Sequence, residues 1–360
     1  MPPDSRPSTL DSPLFVIGYP GNVGGANTEL WHTLKLWRRF GVDVHLIPTW
    51  GKPRDDWRQR CDAIGCITHL ANPNRDELEA VPGLAGGVVV SFCNDLFLCE
   101  AKLFRAMGCK IVWSPCMTWL FDQERRHYAL FGPFDAYHCQ SQYQRNVLAP
   151  KLAQYGVRPA RVHRIAGAFD PCEFTFSPRP RSPGEPFTIG RLSRGSKDKF
   201  STNTWPILDR VQYPRIKYRA MGWNGEVEGQ IGKPPAYAEV LPLEAEPVAD
   251  FLASLHCYCQ INGTAQENWP QTGLEAMAAG VPIVCEARGG WPEMIEHRKT
   301  GFCCSSDAEM AHALATLAWD DDLRLEMARR AWYRLVVHLA DPQEIFAGWS
   351  RLFEGLGIRD

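Results

Sequence analysis

The chain has 360 residues and a mass of 40.6 kDa, too long for one ordinary core and suited to two domains of about 150 to 200 residues. Its 45% hydrophobic and 22% charged content is that of a globular rather than a disordered protein. A formal net charge of -2 and a pI near 6.6 argue against nucleic-acid binding, which favours a basic domain.

The start, M-P-P-D-S-R-P-S-T-L-D-S-P, has neither the charged nor the apolar region of a signal peptide, and no run of eighteen apolar residues follows anywhere. These features predict a cytoplasmic protein with a frayed N-terminus over residues 1–12. The 13 cysteines include no C-x-x-C pair, so most are expected to be small buried hydrophobes rather than zinc ligands or disulfides. No metal-ligand cluster is apparent.

In chain order, L-F-V-I-G (14–18) reads as a buried parallel strand, and the turn Y-P-G-N-V-G-G-A-N-T follows it. Asn27 or Thr28 is expected to cap a helix from Glu29 to about Phe40, which Gly41 ends. Gly24 and Gly25 leave the turn open to close approach of a ligand, although the spacing is not G-x-G-x-x-G. Residues 42–48 are the next strand. The Trp31, Trp37, Lys35, Arg38 and Arg39 composition of the helix allows a weak peripheral membrane contact, but a sheet-covering helix with a basic edge is the simpler reading. Strands at 87–92 and 110–113 and helices near 95–107 and 141–154 continue the alternation of a doubly wound parallel sheet.

Residues 177–186, S-P-R-P-R-S-P-G-E-P, have a linker composition, which sets the expected domains at 13–176 and 187–335, with a C-terminal helix over 336–360 packing back on the first. After it, F-T-I-G-R-L (187–192) reads as a new first strand. The cations Arg191, Arg194, Lys197 and Lys199 then follow within nine positions, placed to hold a diphosphate. Strands at 216–221, 237–241, 256–261 and 281–285, with helices between, make a second α/β domain. The expected architecture is two Rossmann-like sheets facing across a cleft, where ligand sites cluster.

Within the second half, E-N-W-P-Q-T-G-L-E-A-M-A-A-G-V-P (267–282) joins a loop to a short helix. Thr272 and Glu275 have capping-box spacing, which starts the helix near Gly273, and Gly280 and Pro282 stop it. Its N-terminal amides and dipole attract phosphate, while Glu267 and Glu275 can accept bonds from sugar hydroxyls.

These pieces, together with G-G-A-N-T-E-L, A-G-A-F-D-P-C-E-F (166–174) and G-G-W-P-E-M-I-E-H-R-K-T-G-F (289–302), resemble the family 4 retaining glycosyltransferases of GT-B architecture. The resemblance implies a metal-independent hexosyltransferase without a cofactor, using a nucleotide-diphosphate-sugar as co-substrate and a carbohydrate, lipid-linked or small-molecule acceptor. It implies that Glu275 meets the ribose, Glu267 the transferred sugar, and the backbone of Asn268, Gln271, Thr272 and Gly273 the sugar and phosphates. Arg191 with Lys199 or Lys197 would neutralise the leaving group, assisted by Arg194, Gly24 and Gly25, and the backbone near Leu241 would meet the base.

Three features depart from the family. The lysine partner of Arg191 is ambiguous, Pro270 offers no amide, and Cys116 stands near the position where many members carry a histidine. The alternatives are an NAD-dependent oxidoreductase using the first glycine turn, or a degenerate sugar-nucleotide binder.

Overall fold

A computed structural model describes residues 12–22 and 24–357. The terminus expected to fray lies outside the described residues except for Ser12. The chain divides into two compact units, one running through Phe169 and resuming at Pro342, the other spanning Asp170–Asp341.

The first unit holds a seven-stranded parallel sheet: β1 (Leu14–Ile17), β2 (Val44–Ile47), β3 (Ile67–Thr68), β4 (Val88–Phe92), β5 (Lys110–Ser114), β6 (Ala136–Cys139) and β7 (Val162–Arg164). Their order is β3-β2-β1-β4-β5-β6-β7. The strand order reverses between β1 and β4, and the carboxyl ends of two such strands are the usual ligand position in doubly wound sheets. Residues of β1 and β4 are buried on both faces, as their continuous apolar runs predict.

The first helix, Gly25–Arg39, begins four residues before the expected Glu29 because Gly24, at φ 97, serves as its N-cap and no side chain caps it. It buries Leu30, Trp31, Leu34 and Trp37. The tryptophans that would have faced a membrane are thus interior, and the interfacial reading of this helix is corrected. The helix Pro342–Glu354 covers it, with Trp349 edge-on to Trp37 at 5.0 Å and Phe346 stacked on Phe40 at 4.2 Å. Among the described residues no helix is long and apolar enough to cross a membrane.

The second unit holds a six-stranded parallel sheet of β8 (Phe187–Leu192), β9 (Ile216–Met221), β10 (Ala238–Leu241), β11 (Cys257–Gln260), β12 (Ile283–Glu286) and β13 (Phe302–Cys304). The order β10-β9-β8-β11-β12-β13 repeats the first unit's winding. The proline-rich stretch 177–186 lies inside this unit: Ser177 donates to Ala279 O at 3.2 Å, Arg179 bonds Ser254 O and Glu185, and Arg324 donates to Arg179 O at 2.8 Å.

Candidate functional site

In the second unit, loops after β8, β9, β11 and β12 interlock at the carboxyl edge of the sheet. Gly222, at φ 100, crosses Ser193 so closely that a Cβ would stand 1.7 Å from its carbonyl oxygen. Gly263 packs on the carbonyls of Lys197, Asp198 and Phe200, and Ala265 N donates to Asp198 O at 2.8 Å. Gly290 lies under the Glu267 loop, donating to Glu267 O at 2.7 Å, and a Cβ there would stand 1.7 Å from Asn268 O. The turn A-R-G-G-W therefore needs its glycines as a seat for the E-N-W-P loop.

The helix in this loop runs Gln271–Ala279, two residues earlier than the expected start near Gly273, with Pro270 as N-cap and no side-chain cap. The capping-box reading of Thr272 and Glu275 is corrected: Thr272 Oγ1 bonds the Tyr258 hydroxyl at 3.1 Å, and Glu275 sits in the second turn. Pro270 suits the cap because its fixed φ lies close to the chain's own turn. Gly273 is required by packing, since a Cβ would meet the Trp291 ring at 2.7 Å. Gly280, left-handed at φ 84, ends the helix as expected.

At the helix start, Gly273 N donates to Pro270 O at 3.0 Å, whereas the amides of Gln271 and Thr272 have no acceptor among the described residues. The Gln271 side chain is 6% exposed, and both its Oε1 and Nε2 lack a partner. A buried amide with neither group bonded costs a few kcal/mol, on the order of 1–3 per group, unless a ligand completes it. Beside it, Lys199 Nζ lies 2.6 Å from Glu267 Oε1 in a half-buried ion pair. Asn268 is buried next to it.

Glu275 is 9% exposed and has no cationic neighbour; burial, then the charge of Glu173, push its carboxyl up to about 7.

Arg191 is placed differently from the exposed role its position suggested. Its side chain is fully buried, lies over the Phe200 ring at 4.6 Å, and donates to Ile261 O, to Lys199 O and, at 3.1 Å, to Asn262 Oδ1. It ties the end of β8 to the end of β11 and to the backbone of Lys199. Arg194 and Lys197 are exposed. Leu241 ends the edge strand β10, its carbonyl accepting from Gly222 and Trp223 at 2.9 and 2.8 Å.

In the first unit, Gly24 and Gly25 form the turn after β1, and Gly24 has open space where a Cβ would stand. Glu29 on the following helix is fully buried. Its Oε2 accepts from Gln140 and from the Cys116 thiol at 3.7 Å, while Oε1 has no partner. Burial pushes this carboxyl up to about 8. Cys116 adopts a left-handed φ of 53 after β5. Nearby, the buried His138 ring, held near pKa 4 by burial, donates from Nε2 to Ile165 O and accepts the Ser114 hydroxyl at Nδ1, both at 2.9 Å.

Sequence reasoning named the cation cluster and both glutamates of the second unit but missed Glu29, Gln140, Tyr258, Gln260, Asn262, Glu286 and Arg288. The polar ending of H-C-Y-C-Q-I-N and the charged pair in C-E-A-R-G-G were available signals. Tyr258 bonds Leu192 O, Gln260 and Thr272. Glu286 accepts from Asn262 N at 2.9 Å and pairs with Arg288 at 2.9 Å.

Residues 240–332 match the family model described as Glycosyl transferases group 1. No curated protein sequence matches the chain. Among solved structures, HepE from Anabaena in complex with UDP-glucose has 17% identity and a TM-score of 0.70, over 96% of this chain and 99% of that one. TarM has 10% identity and a TM-score of 0.72 over 98% and 100%. Sucrose-phosphate synthase from Thermosynechococcus elongatus has 13% identity and a TM-score of 0.70 over 96% and 99%. The chain has the GT-B glycosyltransferase fold, and the segment from β10 to the helix Asp321–Arg334 matches the group 1 glycosyltransferase model.

Proposed function

We propose that the protein transfers a hexose from a nucleotide-diphosphate-sugar to an acceptor hydroxyl with retention of anomeric configuration. The observation that carries this reading is the helix start at Gln271, where two free amides and an unbonded buried carboxamide stand beside the Lys199–Glu267 pair. Helix N-termini with free amides favour phosphate. The complex of HepE with UDP-glucose makes that sugar nucleotide the first donor to test.

In this reading the amides of Gln271 and Thr272 meet the diphosphate, and Lys199, with the exposed Arg194 and Lys197, supplies the positive charge that a metal would otherwise provide. Asn268 and the Gly273 backbone line the sugar side. Glu267, now paired to Lys199, accepts hydroxyl bonds from the transferred sugar. Glu275 accepts the ribose diol, which gives its buried carboxyl two donors and lowers its pKa from about 7. Arg191 acts by fixing the Lys199 backbone rather than by touching phosphate, and Leu241 borders the base.

The bond from the anomeric carbon to the phosphate oxygen breaks while the acceptor oxygen bonds to the same face of the sugar. The acceptor proton passes to the departing phosphate. Preorganised cations at that oxygen account for the rate. The likeness of the chain to glycosyltransferase structures favours this reading over nicotinamide chemistry at the Gly24 turn.

Thermal shifts with UDP, GDP, ADP and NAD, followed by donor consumption assays with UDP-glucose and other sugar nucleotides, test the proposal. Stabilisation by a nucleoside diphosphate with turnover of its sugar nucleotide is expected, and Glu275→Gln should weaken nucleotide binding. Stabilisation by NAD alone overturns the reading, and diphosphate binding without turnover of any donor reduces the protein to a binder.

A further inference from the structure

Cys285 and Cys303 are direct partners in the register of β12 and β13, so their side chains leave the sheet on the same face. Cys285 is fully buried, its thiol 3.5 Å from Phe302 O. Cys303 is half-buried on the outermost strand of the sheet, where the His297 ring meets its backbone N–H and carbonyl. All 13 cysteines are free, and Cys303 and Cys304, neighbours in sequence, point to opposite faces.

We propose that Cys285 and Cys303 are a reversible, peroxide-sensitive dithiol that closes to a disulfide across β12 and β13. Cys303 reacts first: the neighbouring Cys285 thiol holds its own below the usual thiol range, and it is the more exposed of the two. Its thiolate attacks hydrogen peroxide to give a sulfenic acid and one water. The Cys285 sulfur then displaces the sulfenic oxygen as a second water, leaving the disulfide. Two thiols and one peroxide thus become one disulfide and two waters.

Adjacent strands lie about 4.8 Å apart, within the range of Cα separations that a disulfide spans, but its Cβ atoms prefer a separation of about 3.8 Å. Closure therefore draws β12 and β13 together, and a disulfide formed this way is readily reduced. Glu286 follows Cys285 directly. Through its bonds to Asn262 N and Arg288, it anchors the turn whose Gly290 seats Glu267. A shift of β12 is carried to that loop.

The test is peptide mapping of the reduced full-length chain before and after hydrogen peroxide, with free thiols alkylated, together with UDP-glucose turnover. Wild type should yield linked peptides containing Cys285 and Cys303, and turnover should fall severalfold and return with dithiothreitol. Cys303→Ser, and Cys303→Ala as a second variant, should keep wild-type turnover in the absence of peroxide and retain it after treatment. Cys303 recovered as a free thiol or sulfonic acid, or linked to another cysteine, overturns the proposal. Equal loss of turnover in the Cys303 variants overturns its transmission to the site. The turnover arm rests on the proposed transferase function, whereas the linked peptide is read even if no sugar nucleotide is consumed.

Discussion

The two units wind their sheets in the same order, yet one buries a carboxyl and the other a guanidinium near the carboxyl ends of its strands. In the first unit, Glu29 is buried with one oxygen bonded and the other bare. In the second, the Arg191 guanidinium is buried against three oxygen acceptors. The same topology thus supports a buried carboxyl in one unit and a buried guanidinium in the other, whose Nη1 and Nη2 are bonded while its Nε, like Glu29 Oε1, has no partner among the described residues. Burial raises the pKa of Glu29 and weakens the fold as pH rises, whereas the bonded Arg191 ties the end of β8 to the end of β11 and to the backbone of Lys199.

The largest effect should come from removing the buried guanidinium. Arg191→Met leaves Ile261 O and Lys199 O without this donor and Asn262 Oδ1 with Gln260 Nε2 in its place, so stability should fall by about 3–5 kcal/mol in urea unfolding and turnover should be lost with it. Lys199→Ala separates the two roles. Donor turnover should drop about a hundred- to a thousand-fold with little change in the unfolding midpoint, and a melting temperature that falls as far as that of Arg191→Met would merge them again.

A somewhat smaller effect belongs to the first unit. The folded Glu29 carboxyl titrates at about 8, above its ordinary 4.5, so the folded state keeps a proton that the unfolded state releases between those values. Stability contributed by this group is therefore full below about pH 4.5 and is lost as pH rises to 8, at up to about 1.4 kcal/mol per pH unit. Glu29→Gln should flatten that part of the urea-midpoint profile and be more stable than wild type at pH 8. An unchanged slope would show that Glu29 is ionised at neutral pH.

A sharper version of the comparison lies at Gly290. Gly290→Ala should displace the Asn268 carbonyl and weaken UDP binding measurably, while Gly24→Ala, which meets no atom, should cost only the strain of its left-handed φ, about 1–3 kcal/mol. Calorimetric titration with UDP and thermal melts distinguish the two.

The buried strands were legible because parallel sheets between helices need continuous apolar runs, as at L-F-V-I and F-T-I-G-R-L. The helix stop at Gly280 followed from a left-handed turn that favours glycine. Helix starts were read less well: the first began at Gly24 rather than Asn27, and the 271–279 helix at Pro270 rather than Thr272, because packing chose the cap. Trp291 against Gly273 is a contact between residues eighteen apart that no local pattern records.

The sequence by itself determined two doubly wound sheets and the clustering of cations, glycines and carboxylates after particular strands, since these depend on local hydrophobic period and turn chemistry. The tertiary structure alone decided which of those charges are buried and what they bond. Arg191 and Lys199 look alike as members of one basic run, but only the folded loops bring three oxygen acceptors to the first and Glu267 to the second. Likewise, Glu29 and Glu275 differ from exposed glutamates because folding removes water from them, and at Glu29 it also leaves Oε1 without a partner among the described residues.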